Sequence, residues 1–73
     1  MFTLRPATKF YKQPNYKMRN MLSIQDQVAM VEGPPLDEVS GFCLYNLFDE
    51  NYKQIRPKTA WTPCYNIKGL VIE

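Results

Sequence analysis

Few side chains in this sequence can do covalent or acid–base chemistry. They are Cys43, Cys64 and the adjacent acids Asp37-Glu38 and Asp49-Glu50, and there is no histidine. Without histidine the chain lacks Ser-His and Cys-His nucleophilic machinery and the commonest general base near neutral pH. Each acid pair falls where solvated carboxylates serve structure, one at the start of an expected helix and one in a hairpin loop. No catalytic residue is therefore assigned and no enzyme activity is expected. Two cysteines cannot complete a four-ligand zinc site without recruiting carboxylates, so neither a metal nor a cofactor is expected. With only three glycines, at 33, 41 and 69, the chain cannot build a P-loop or a dinucleotide-binding turn.

Binding chemistry is better represented. The opening MFTLRPATKFYKQPNYKMRN carries Arg5, Lys9, Lys12, Lys17 and Arg19 together with Phe2, Phe10, Tyr11 and Tyr16, and no acid. Cations contact phosphates or acidic protein surfaces, and aromatic rings stack on unpaired bases or anchor protein interfaces. The remaining residues hold every acid of the chain, so a net charge of +2 conceals a basic front and an acidic remainder. Such blocks mark interaction segments. A second group lies further on. In GFCLYNLF, one strand face would carry Phe42, Leu44, Asn46 and Phe48, and the other Cys43, Tyr45 and Leu47, so both faces are apolar. A small chain has difficulty covering both, which points to partner contacts through Tyr45, Leu47, Tyr52 and Trp61. The competing reading puts these rings, and those of Phe10, Tyr11 and Tyr16, in the core. The RNP1 pattern of basic, glycine and aromatic residues is missing, as are zinc-finger spacings, so direct nucleic-acid binding through the basic segment is the alternative reading.

The elements that must position these residues are short. FTLR reads as a strand, and Pro6 and Pro14 make the rest of residues 1–20 a partly extended basic segment. A turn over 22–26 and a strand over 27–32 follow. PPLDEVSG reads as about one helical turn, with proline at its start, Asp37 and Glu38 at the positive end of the dipole, and Gly41 as terminator. GFCLYNLF and YKQIRP flank Asp49-Glu50-Asn51 as a hairpin, with Asn51 suited to a left-handed conformation. Pro63 makes TAWTPCY an edge or extended connection, and NIKGLVIE supplies a last strand with a bulge or turn at Lys68-Gly69 and an edge that could accept an extended peptide. The expected fold class is α+β, mostly β: one small domain over 1–73 with an antiparallel sheet, a central hairpin and one short helix.

Composition agrees with a globular chain, 45% hydrophobic and 22% charged. A core of this size supplies only about 3–5 kcal/mol. No run of about eighteen apolar residues exists, so no helical membrane span is expected. The opening cations have no apolar stretch behind them, unlike a secretory signal. The expected compartment is the cytoplasm, where Cys43 and Cys64 stay reduced and pack as small hydrophobes. A bridge between them would contribute roughly 3 kcal/mol through loop entropy.

In its length, its basic N-terminal stretch and the character of GFCLYNLFDENYKQIRP, the chain resembles the small host-takeover proteins of lytic bacteriophages. More narrowly, it is similar to the small RNA-polymerase-binding regulators of lytic Xanthomonas phages. The resemblance implies a protein without catalytic activity whose partner is bacterial RNA polymerase near the N-terminus of the β′ subunit and the β flap; the free chain is expected to be a monomer. Such a regulator disfavours the sigma-bound holoenzyme, inhibits initiation and affects termination.

Overall fold

Period-two alternation dominates the chain, and the computed structural model, which describes residues 1–70, is correspondingly built of strands. They are β1 (Phe2–Leu4), β2 (Phe10–Tyr11), β3 (Met21–Leu22), β4 (Met30–Val39), β5 (Phe42–Phe48), β6 (Gln54–Pro63) and β7 (Ile67–Leu70). All join one sheet in the order β3-β2-β6-β5-β4-β1-β7, with every pairing antiparallel. Among the described residues there is no α-helix, only 3-10 turns at Met18–Asn20 and Cys64–Asn66.

Cys43, Tyr45 and Leu47 of β5 point into a core with Phe10, Ile24, Val28, Val31 and Ala60. Partly buried Leu22 from β3, and Phe2, Leu4 and Ile67 from β1 and β7, pack on that same core. Strands at opposite ends of the order can share one core only if the sheet curls around it.

The prolines show how it curls. Between Glu32 and Asp37 the β4 register slips against β5, and between Asn46 and Phe48 the β5 register slips against β6. Gly33–Leu36 stand against Tyr45 alone on one side, and Ile55–Lys58 against Leu47 alone on the other. These stretches contain Pro34, Pro35 and Pro57, which have no N–H for the ladder and so collect at bulges, where strands bend and twist more strongly. Gly33 is required in its place, because the Phe2 ring occupies the space that a Cβ there would fill. A third bulge, at Lys68, separates the pairs Thr3–Gly69 and Leu4–Ile67, as the Lys68-Gly69 reading anticipates.

The expected helix over PPLDEVSG is replaced by the second half of β4. Asp37, Glu38 and Val39 pair with Leu44, Cys43 and Phe42, and Ser40 (φ 52°) and Gly41 (φ 82°) make the two-residue hairpin turn. Two successive left-handed residues are what a type I′ hairpin demands. One helical turn has at most a bond or two to set against its nucleation cost, whereas the strand gains a ladder. The strand expected over 27–32 begins only at Met30, and of the last expected strand, 71–73 lie outside the described residues. The stretch around Trp61 is not an edge: Pro63 is the last residue of β6 and still pairs with Phe42 on β5, while β2 pairs on the other side at Trp61.

The predicted β5–β6 hairpin is present, but Tyr52 (φ 63°), not Asn51, takes the left-handed position. Asp49 holds the loop. Its Oδ1 accepts from the N–H groups of Asn51 (2.8 Å) and Lys53 (3.0 Å). Asp49→Ala should lower stability by about 1 kcal/mol, measured as a shift in urea midpoint. An unchanged midpoint would show that the loop closes without the carboxylate.

Candidate aromatic and cationic interface

The basic segment is woven into the fold. Between β2 and β3 the chain makes a loop closed by Lys12 N–H donating to the Asn20 carbonyl (2.8 Å) and Asn20 N–H to the Lys17 carbonyl (2.9 Å). Asn20, 4% exposed, donates from Nδ2 to Asn15 Oδ1 (2.7 Å). Upstream, the Lys9 carbonyl accepts from the buried Thr62 hydroxyl (2.9 Å). Residues 1–20 are therefore not a free arm.

The loop folds Tyr16 back onto the outer face of the sheet. Register places Tyr11 opposite Trp61, and Trp61 opposite Leu44, so these three share the face that β5 turns away from the core. On it Tyr11, Tyr16 and Phe42 form an edge-to-face cluster. Centroids are 5.8 Å apart for Tyr11–Tyr16, 5.6 Å for Tyr11–Phe42 and 4.7 Å for Tyr16–Phe42. Such pairs each add about 0.5–1.5 kcal/mol beyond their area. The second apolar face of β5 is thus covered partly from within.

What remains open is specific. Phe42 is 3% exposed, but Tyr16 is 60% and Tyr65 66% exposed. The Tyr16 hydroxyl titrates above its ordinary range, through partial desolvation first and the neighbouring Tyr65 hydroxyl second. Arg5 fixes the far side, its Nε donating to the Tyr65 carbonyl (2.8 Å). Lys12, Lys17 and Arg19 are exposed on the loop that carries Tyr16. The Tyr16 ring packed on Tyr11 and Phe42, the exposed Tyr65 whose hydroxyl neighbours that of Tyr16, and cations from Arg5 and from residues 12–19 form the candidate interface.

The twelve residues singled out by sequence divide clearly. Arg5, Lys9, Lys12, Lys17, Arg19 and Tyr16 are exposed, and Trp61 is half-buried on the same face as Tyr11. Phe10 and Leu47 (both 0% exposed) and Tyr45 and Tyr11 (5% and 6%) are interior. Phe10, Tyr45 and Leu47 belong to the core and hold the sheet that presents the face, whereas Tyr11 lies on that face, covered by Tyr16 and Phe42. Tyr52 is exposed but sits in the hairpin loop at the Phe48 end of β5, a strand length from Phe42. Tyr65 was missed. Its signal was an aromatic directly after Pro63-Cys64, in a stretch read only as an extended connection.

Two shallow clefts, about 260 and 240 Å³, share Asp26, Val28 and Ala29; the first is also lined by Arg5 and the second by Asp49 and Glu50. Asp37 and Glu38 lie instead on β4 beside the cysteines. Burial, and then the charge of Glu38, raises the Tyr45 hydroxyl above its ordinary 10.0. A group whose folded pKa exceeds its unfolded one adds stability in full below the unfolded value, which is lost as pH rises through the folded value. Stability should therefore decline from about pH 10 upward. Tyr45→Phe should flatten part of that decline while changing neutral-pH stability little, read from denaturation curves across the alkaline range. An identical alkaline profile in the variant would contradict the assignment.

The cysteines differ from the sequence expectation. Cys43 and Cys64 are joined in a disulfide, with Cα atoms 5.1 Å apart, within the span a bridge requires. The hairpin turn at Ser40-Gly41 brings them together, since the Cys64 N–H donates to the Gly41 carbonyl (2.9 Å). Among the described residues, no helix is long and apolar enough to cross a membrane. Compared with protein-family models, with curated proteins and with solved structures, the chain has no match.

Proposed function

We propose that this chain is a non-catalytic, protein-binding regulator. It docks its Tyr16–Tyr65 face on an acidic surface of bacterial RNA polymerase in the cytoplasm, inhibits transcription initiation and affects termination. The observation that supports this is the exposed Tyr16, packed on Tyr11 and Phe42, with exposed Tyr65 beside it and the cations of a tied loop around it. Rigid aromatic anchors lose little entropy on binding and dominate interface energetics. Neighbouring cations steer association with an acidic partner. Inhibition then needs only different affinities for the states of the polymerase. The choice of polymerase, and of the β′ N-terminal region and β flap, comes from the resemblance in length and character alone.

The same tyrosines and cations also suit nucleic acid. That reading loses Phe10 to the core and Tyr11 to its cover by Tyr16 as stacking platforms, and keeps Tyr16 and Tyr65. The two separate by experiment. Tyr65→Ala, at a position too exposed to matter for folding, should weaken binding to purified RNA polymerase by about 30-fold, or 2 kcal/mol, with unchanged circular dichroism. If instead the five N-terminal cations bind duplex phosphates, affinity for DNA falls with a log–log salt slope of about −4.5. That slope, together with no polymerase binding, would overturn the proposal.

A further inference from the structure

Away from the aromatic face, three segments converge on a second group of atoms. Glu38 on β4 stands opposite Cys43 on β5 in the ladder, and Cys64 opens the 3-10 turn after β6. Glu38 Oε1 lies 3.7 Å from Cys43 Sγ and 3.5 Å from Cys64 Sγ, and the three atoms lie within 4.8 Å of one another. Bridged sulfurs have no proton to donate, so these are contacts and not hydrogen bonds. Their geometry has another use. Bonds of about 2.3 Å to sulfur and 2.0 Å to oxygen, at tetrahedral angles, subtend an S···O edge of about 3.5 Å. The carboxylate oxygen already stands at that edge from both sulfurs.

We propose that, once the bridge is reduced, Cys43, Cys64 and Glu38 bind one thiophilic divalent cation, Zn²⁺ being the natural choice, with water as fourth ligand. This site's chemistry does not depend on the partner proposed above. Reduction by a dithiol transfers two electrons and two protons to the bridge, and the dithiol leaves as its cyclic disulfide. Metal binding then displaces both thiol protons to solvent and forms two metal–sulfur bonds and one metal–oxygen bond. The sulfurs need only part to about 3.8 Å, the S···S edge of the same tetrahedron. Cys43 is buried, Cys64 half-buried and Glu38 exposed, which leaves the fourth position on the solvent side. The carboxylate that a two-cysteine sequence must recruit is supplied by the ladder.

The test titrates the full chain with Co²⁺, oxidised and after dithiol reduction and anaerobic removal of the reductant. The reduced chain should bind one equivalent with thiolate-to-cobalt charge-transfer absorption, displaced by Zn²⁺, and the oxidised chain should show none. Glu38→Gln should weaken binding roughly tenfold or more, and Cys43→Ser with Cys64→Ser should abolish the absorption. Absence of absorption in the reduced chain would overturn the proposal. So would equal affinity in Glu38→Gln, which is also how two free thiols on an unfolded chain would behave.

Discussion

Alanine at Phe10 is expected to leave the chain unfolded at 25 °C. Phe10 is fully buried and is among the largest side chains in the core. It stands on the two-residue β2 that connects β3 to β6. Emptying such a site costs about 3–5 kcal/mol through lost transfer energy and the cavity left behind. A chain of this size has only about 3–5 kcal/mol of stability from its core, so the whole margin is removed. Loss of the β signature in far-ultraviolet circular dichroism and of dispersed amide resonances would be the readout. A cooperative melt close to that of the parent would show that Phe10 is peripheral. The contrast with Tyr65→Ala, expected to fold normally and bind poorly, separates the scaffold aromatics from those of the interface.

Opening the disulfide has the next largest expected effect. The bridge closes a loop across 21 positions, worth roughly 3 kcal/mol by chain entropy, and it ties the turn before β7 to the central strand. Cys43→Ala with Cys64→Ala, or reduction of the parent, should lower the urea midpoint by most of the stability the chain has. Equal midpoints for oxidised and reduced protein would contradict this. Thiol pools of a reducing compartment would open the bridge. A metal bound only by the folded form of the reduced chain would restore part of the loss.

Much of the sheet was legible because alternation is a local signal. GFCLYNLF reads as a two-faced strand, and Asp49 marks the loop that follows. The helix over PPLDEVSG was misread because its cues, proline, acids and glycine, serve a bulge and a type I′ turn equally well. Only the long-range partner, residues 42–44, decides between them. The two faces of β5 were identified, but not which one was inside. That choice depends on Tyr11 and Tyr16 returning over Phe42, a tertiary fact with no period in the sequence. The same return makes the basic opening part of the fold. Cys43 and Cys64 were read through compartment and not geometry, and the Ser40-Gly41 turn that brings them together was hidden inside the misread helix. Tyr65 became visible only once Arg5, sixty positions away, was seen to hold its backbone.

The measurement that bears most directly on the central claim is capture of partners by the tagged chain from bacterial lysate treated with nuclease, with the Tyr65→Ala chain as control and quantitative mass spectrometry of what is retained. The account predicts near-stoichiometric RNA polymerase subunits on the parent chain, undiminished by nuclease and depleted on the variant. Absence of polymerase, or recovery that vanishes with nuclease, would contradict it.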